Sequence, residues 1–148
     1  GAKLVLVYKW DAKRALELIE AEKIQGIVGV PTNTYDLVNH PDFAKYDTSS
    51  MKAVGGGGAA FSAPMIKRVS DTFKHAKAGT GYGLTETNAL SVTMSADLFP
   101  ARPSSCGLPN VMVDICILGD DNRKLPPGEV GEICIRGATI MRDYWKKA

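Results

Sequence analysis

The residues best equipped for chemistry lie together in Gly81-Tyr82-Gly83-Leu84-Thr85-Glu86. The two glycines allow backbone conformations with φ > 0 and let a ligand approach the main chain. Tyr82, between them, offers a flat apolar face with a polar tip, which suits a planar ring such as a nucleobase. Thr85 and Glu86 supply a hydroxyl and a carboxylate side by side, the hard oxygen donors that suit Mg²⁺ held together with phosphates. One six-residue loop would then meet base, phosphate and metal. The plainer alternative is a tight turn with an exposed tyrosine and a threonine capping the next helix.

A second glycine-rich stretch, Gly55-Gly56-Gly57-Gly58-Ala59-Ala60, follows a strand-like run and precedes a helix signal at Ser62. Its alternative duty is simple clearance between strand and helix. No Lys-Ser/Thr pair follows it, so it is not a P-loop, and it is not the GxGxxG dinucleotide fingerprint. In an open α/β sheet, ligands bind outside the carboxyl ends of the strands. Consecutive parallel strands are usually neighbours, so both glycine loops should open on one sheet edge. The Val30-Pro31-Thr32 turn leaves a third strand on that edge. Together the three would line a crevice whose apolar wall suits the tail of an organic acid.

Composition narrows the classes. The chain has 148 residues, 45% hydrophobic and 23% charged, with a net charge of +2. That is ordinary for a globular domain, and the mixed charges give no basic stripe for nucleic acid and no polybasic membrane patch. No apolar run approaches the roughly 20 residues of a membrane span. The start, Gly1-Ala2-Lys3, has no signal-peptide character. Cys106, Cys116 and Cys134 are widely spaced with no CxxC pair, which argues against disulfides and zinc. They are expected to be buried, unreactive thiols in a reducing cytoplasm. His40 and His75 are expected at the surface.

The elements that must position these loops read as follows. Leu4–Tyr8 is a continuous apolar run expected to be a buried strand. Asp11 caps a helix over 12–23 with Ala15, Leu16, Leu18 and Ile19 as its stripe. Residues 27–30 form a strand, and Thr32 caps a short helix to Asn39. Residues 51–54 form a strand, Ser62 caps a helix containing Met65, Ile66, Val69 and Phe73, and residues 76–80 form the strand before the hexapeptide. Residues 95–109 read as an extended connection. Residues 111–118 and 130–136 alternate and predict an antiparallel hairpin. The expected fold is α/β: a mostly parallel β-α-β sheet with flanking helices, then a β-rich, barrel-like C-terminal segment. The division falls at 1–90 and 91–148.

GYGLTE, preceded by GGGGAAFS after a strand and followed by GEICIRG and MRDYW, resembles the adenylate-forming superfamily. That superfamily includes acyl-CoA synthetases, firefly-luciferase-like enzymes and peptide-synthetase adenylation domains. The order and spacing match across almost the whole chain. The resemblance implies that Gly57, Gly58, Ala59 and Ala60 lie along the adenine, with Ala60 where proline is usual. It implies that Tyr82 faces the adenine within a nucleotide-binding run of Gly81, Tyr82, Gly83, Leu84 and Thr85. Thr85 would hold phosphate oxygens and Glu86 would ligate Mg²⁺, the two forming the catalytic pair. Val30, Pro31, Thr32, Gly56 and Thr80 would wall the acyl pocket. Gly131, Glu132, Arg136 and Gly137 match a structural motif.

The same resemblance leaves parts of the family pattern without a counterpart. These are the phosphate loop ending in Pro-Lys-Gly, the ribose-binding Asp beyond Trp145, and the small C-terminal domain with its catalytic Lys. The chain is thus similar to the middle of an ATP-dependent carboxylate–CoA ligase, using a carboxylic acid, ATP and CoA. As an isolated piece it is expected to be inactive and, with sheet edges bare, to self-associate. Two other readings stay open: a non-catalytic nucleotide-binding or interaction module of the same fold, and a peptide-synthetase-type adenylation domain.

Overall fold

The computed structural model describes residues 1–146. Seven strands and three helices follow in the order α1 (Ala12–Glu22), β1 (Gly26–Gly29), α2 (Pro31–Val38), β2 (Ala53–Gly56), α3 (Ala63–Thr72), β3 (Lys77–Tyr82), β4 (Val92–Met94), β5 (Leu108–Pro109), β6 (Val113–Leu118) and β7 (Glu132–Gly137). The first five strands form one sheet in the order β1-β2-β3-β4-β5. β1, β2 and β3 are parallel, joined through α2 and α3, while β4 and β5 are antiparallel additions. The expected mixed α/β sheet with helical crossovers is therefore present. The sheet also runs past residue 90, through β4 and β5.

Each helix begins where a side chain or a proline meets the first turn. Asp11 caps α1, its Oδ1 accepting from the Arg14 N–H at 2.7 Å. Lys23 ends that helix in the left-handed region at φ 49°. Ser62 caps α3 through a longer bond, 3.4 Å from the Met65 N–H. The expected cap at Thr32 is not used. Pro31 occupies the first turn of α2, where its fixed φ is already helical, and Asn33 Oδ1 instead accepts from the Val30 N–H at 3.0 Å.

The core lies between the helices and one face of the sheet. Leu16 and Ile19 of α1, Leu37 of α2, Val69 of α3 and Val54 of β2 are buried together, closed below by Phe73. Phe43 meets Phe73 edge to face at 5.1 Å between centroids. Burying side chains of this size contributes about 1.5–3 kcal/mol each. The opposite sheet face is bare at β1, where Val28 is 87% exposed.

Four expectations need correction. Leu4–Tyr8 forms no strand: Leu4, Leu6 and Tyr8 are exposed, and the run finds no ladder partner among the described residues. A strand is defined by pairing, so an apolar run without a neighbour stays unassigned backbone. Next, β3 continues through Gly81 and Tyr82, because β4 pairs with it at Thr93 and Val92. The short, polar-flanked run 92–94 carries too little period-2 signal to be seen in advance. The β-rich C-terminal segment is one antiparallel hairpin, β6–β7, and the described residues hold no barrel. Finally, the thiols are not buried: Cys106 is exposed, and Cys116 and Cys134 are half-buried opposite one another in the hairpin.

Cap geometry ranks two substitutions. Asp11→Ala is expected to lower stability by about 1 kcal/mol, and Ser62→Ala by less, given its longer bond. Urea unfolding at unchanged m value measures both; an equal or reversed order would contradict this ranking.

Candidate functional site

Parallel register brings the carboxyl ends of β1, β2 and β3 to one edge. Gly29 stands beside Gly56, and Gly56 beside Thr80. The rows are tight: the Gly57 N–H donates to the Gly29 carbonyl at 3.2 Å, and Thr80 Oγ1 donates to the Gly56 carbonyl at 3.4 Å. Phe61 covers Gly56 so closely that a Cβ there would lie 2.7 Å from its ring. The chain then leaves β2 through Gly58 at φ +78°, a conformation that costs an L side chain strain.

Beyond β3 the main chain passes Gly83, where a Cβ would fall 1.6 Å from the Ala89 carbonyl oxygen. Only glycine permits that crossing. A 3₁₀ turn, Thr85–Thr87, follows. The buried Thr87 hydroxyl fastens it. Its oxygen accepts from the Leu84 N–H at 2.9 Å, and its proton is shared between the carbonyls of Leu84 at 3.0 Å and Ala89 at 3.1 Å. Asn88 and Ala89 then take positive φ values of 54° and 87°. Non-glycine residues held this way store strain that the surrounding bonds must offset.

These loops line two adjoining, open cavities of about 380 and 370 Å³. Gly58, Gly81, Gly83 and Leu84 line both. The first also takes in Thr85, with Asn88, Ala89 and Leu90 as its far wall. The second is more apolar, with Ala59, Ala60, Phe61, Tyr82 and Phe99 about it, and with Thr80, Ser105 and Cys106 at its polar side. Phe61 and Phe99 meet edge to face at 6.4 Å between centroids.

Nine of the residues singled out in the sequence are thus brought together: Gly58, Ala59, Ala60, Thr80, Gly81, Tyr82, Gly83, Leu84 and Thr85. Gly56 and Gly57 lie in the backbone rows beneath and line neither cavity. Val30 reaches the rim, since a Cβ on Gly58 would sit 3.7 Å from its Cγ1. Pro31 and Thr32 form the first turn of α2 and are not cavity-lining.

Glu86 is also outside the lining residues. Its Oε1 accepts from the Tyr144 hydroxyl at 2.9 Å, and its main-chain carbonyl accepts from the Met141 N–H at 2.9 Å. Its own backbone N–H, and then the Tyr144 hydroxyl, hold its carboxyl below the ordinary carboxylate range. The same hydrogen bond pushes the Tyr144 phenol up. At neutral pH the pair is therefore carboxylate and neutral phenol. No group of three or more His, Cys, Asp and Glu that could hold a metal occurs among the described residues. Mg²⁺ is commonly held by one or two carboxylates plus substrate phosphates rather than a protein cage. One ionised, accessible carboxylate beside Thr85 fits that mode and does not fit a metal site made of protein alone.

Sequence reasoning missed Thr87, Phe61, Phe99 and Tyr144. A threonine three residues after Leu84 is a local turn signal and was readable. The two phenylalanines and Tyr144 come from remote segments, and their spacing carries no hint of the meeting.

The AMP-binding enzyme family matches residues 1–145. The chain belongs to that family. It is 33% identical over 148 residues to a 4-coumarate–CoA ligase of Humulus lupulus, which covers 97% of this chain but 27% of that protein. It is 29% identical over 145 residues to a feruloyl-CoA synthase of Amycolatopsis sp, covering 98% of this chain and 29% of the relative. Among solved structures, the luciferase-like enzyme of the mealworm Zophobas morio superposes with a TM-score of 0.87 at 25% identity, over 95% of this chain and 35% of that one. The chain thus spans about a third or less of these proteins. No helix of the described residues is long and apolar enough to cross a membrane.

The Thr87 knot yields a prediction. Thr87→Val keeps the shape but strands the Leu84 N–H, and should cost about 1–3 kcal/mol. Chemical denaturation measures it; a change within a few tenths would show that the knot does not hold the turn.

Proposed function

We propose that this chain is the nucleotide-side part of an ATP-dependent carboxylate–CoA ligase. In the reaction of such an enzyme a carboxylate oxygen attacks the α-phosphorus of ATP and pyrophosphate leaves. The thiol of CoA then attacks the acyl carbon of the acyl-adenylate, and AMP departs. The observation that carries this reading is the convergence of the β2 and β3 loops on one sheet edge, with Gly58, Gly81, Gly83 and Leu84 shared by two adjoining cavities.

On this reading the adenine lies along Gly57 to Ala60 and against Tyr82. Thr85 donates its hydroxyl to phosphate oxygen, and Glu86 contributes the carboxylate that holds Mg²⁺. The ion's contribution is charge neutralisation on the phosphates, a preorganised electrostatic effect. The half-buried glycine backbone contributes clearance and N–H donors. The acid lies toward the carboxyl ends of β1 and β2, with Val30, Pro31, Thr32, Gly56 and Thr80 as its wall. The aryl acids named in the relatives 4-coumarate–CoA ligase and feruloyl-CoA synthase support an aromatic acid. Fatty acids are the other class, since a medium/long-chain-fatty-acid–CoA ligase of Mycobacterium tuberculosis is 29% identical over 150 residues. The three free thiols suit a reducing, cytoplasmic setting.

A second reading, a nucleotide-binding module without turnover, has one observation behind it: Glu86 is engaged by Tyr144 and lies outside both cavities. Pyrophosphate release over a panel of aryl and fatty acids, measured on the longer ligase of which the first reading makes this chain a part, separates the two, and calorimetry with Mg²⁺-ATP tests the site on the chain itself. For the 148-residue chain we expect binding without turnover, because the family's catalytic Lys and ribose-binding Asp have no counterpart in it. Tyr82→Ala and Glu86→Gln should each weaken binding about tenfold or more. Full-strength binding by both variants would defeat the site assignment. Pyrophosphate release by the chain itself would refute its inactivity.

The bare edge of β1 and the exposed Val28 support self-association of the chain through edge pairing. Sedimentation velocity should show the mean mass rising with concentration, whereas a concentration-independent monomer would contradict it.

A further inference from the structure

The segment that leaves β7 is fastened to the turn carrying Thr85 and Glu86 at two points. The Met141 N–H binds the Glu86 main-chain carbonyl, and the Tyr144 hydroxyl binds its carboxylate, each at 2.9 Å. The two side chains are 58 residues apart in sequence. Both are exposed, so neither desolvation nor packing forces the contact.

We propose that Tyr144 is a positioning residue for Glu86, holding that carboxylate in the orientation in which it takes a divalent cation bound to a nucleotide triphosphate. This rests on the nucleotide reading of the site and adds to it a residue that touches neither the nucleotide nor the cavities. An exposed glutamate samples many rotamers, and fixing it costs entropy. The Tyr144 hydroxyl meets part of that cost before any ligand arrives. The chemistry of the donor matters. A lysine or arginine in this place would orient the carboxylate but cancel its charge and compete with the cation. A neutral phenol donates one hydrogen bond, keeps the negative charge and leaves the remaining lone pairs free. Hydrogen bonds of this kind behind metal-binding carboxylates typically matter 10–100-fold in affinity.

Tyr144→Phe removes only the hydroxyl and leaves the Met141 bond in place. Three readouts on the intact protein test it: an NMR titration of the Glu86 carboxyl without metal, and calorimetry with ATP in the presence and in the absence of Mg²⁺. We expect Tyr144→Phe to raise the Glu86 titration midpoint, to weaken Mg²⁺-ATP binding about tenfold, and to leave metal-free ATP binding unchanged. An unmoved midpoint, or Mg²⁺-ATP binding at wild-type strength while Glu86→Gln weakens it, overturns the role of Tyr144 alone. Equal losses with and without Mg²⁺ also overturn it, since they mark a general disturbance of the site. Wild-type Mg²⁺-ATP affinity in Glu86→Gln overturns the underlying metal-binding reading, and with it the proposal.

Discussion

Parallel pairing of β1, β2 and β3 in strict register is the constraint from which the rest follows. It stacks Gly29, Gly56 and Thr80 in one row and sends three chain exits out of the same edge. Had the strands alternated in direction, the two glycine-rich exits would stand at opposite ends of the sheet. Helical crossovers through α2 and α3 are what make parallel pairing possible, and their apolar stripes are what hold them on the sheet. The core and the candidate site are therefore two consequences of one arrangement.

At that edge, absence of side chains matters as much as their presence. Gly56 admits the ring of Phe61, Gly83 admits the Ala89 carbonyl, and Gly58 turns with positive φ. Each omission brings another group close: an aromatic wall, a crossing strand of main chain, a bend over the cavity. The strained Asn88 and Ala89 are held in place by the Thr87 hydroxyl, which bonds both sides of the turn. A small number of strong local bonds thus maintains a wall that the propensities of its residues do not favour.

The hairpin β6–β7 enters the same picture through its exit rather than its strands. Met141 and Tyr144 anchor on Glu86, so the C-terminal part is tied to the sheet beside the candidate metal ligand. The surroundings of Glu86 were unforeseen. Its neighbours in sequence point to phosphate and metal, and its neighbour in space is a phenol.

Much was legible from residue order alone. Helical period marked α1 and α3, Asp11 and Ser62 marked their starts, and the β-α-β alternation implied the parallel sheet and its common edge. GYGLTE and the four-glycine run marked the site because glycines next to one aromatic and two oxygen donors state a chemistry locally. Other features depended on pairing between distant segments. Leu4–Tyr8 is as apolar as a strand, yet lacks a ladder partner among the described residues. Val92–Met94 is a strand because β3 lies beside it, and Gly81 and Tyr82 belong to β3 for the same reason. Phe61 with Phe99, and Glu86 with Tyr144, meet across separations no local pattern encodes. Sequence fixes what a residue can do within a few neighbours; long-range hydrogen bonds and packing decide which remote partner it does it with.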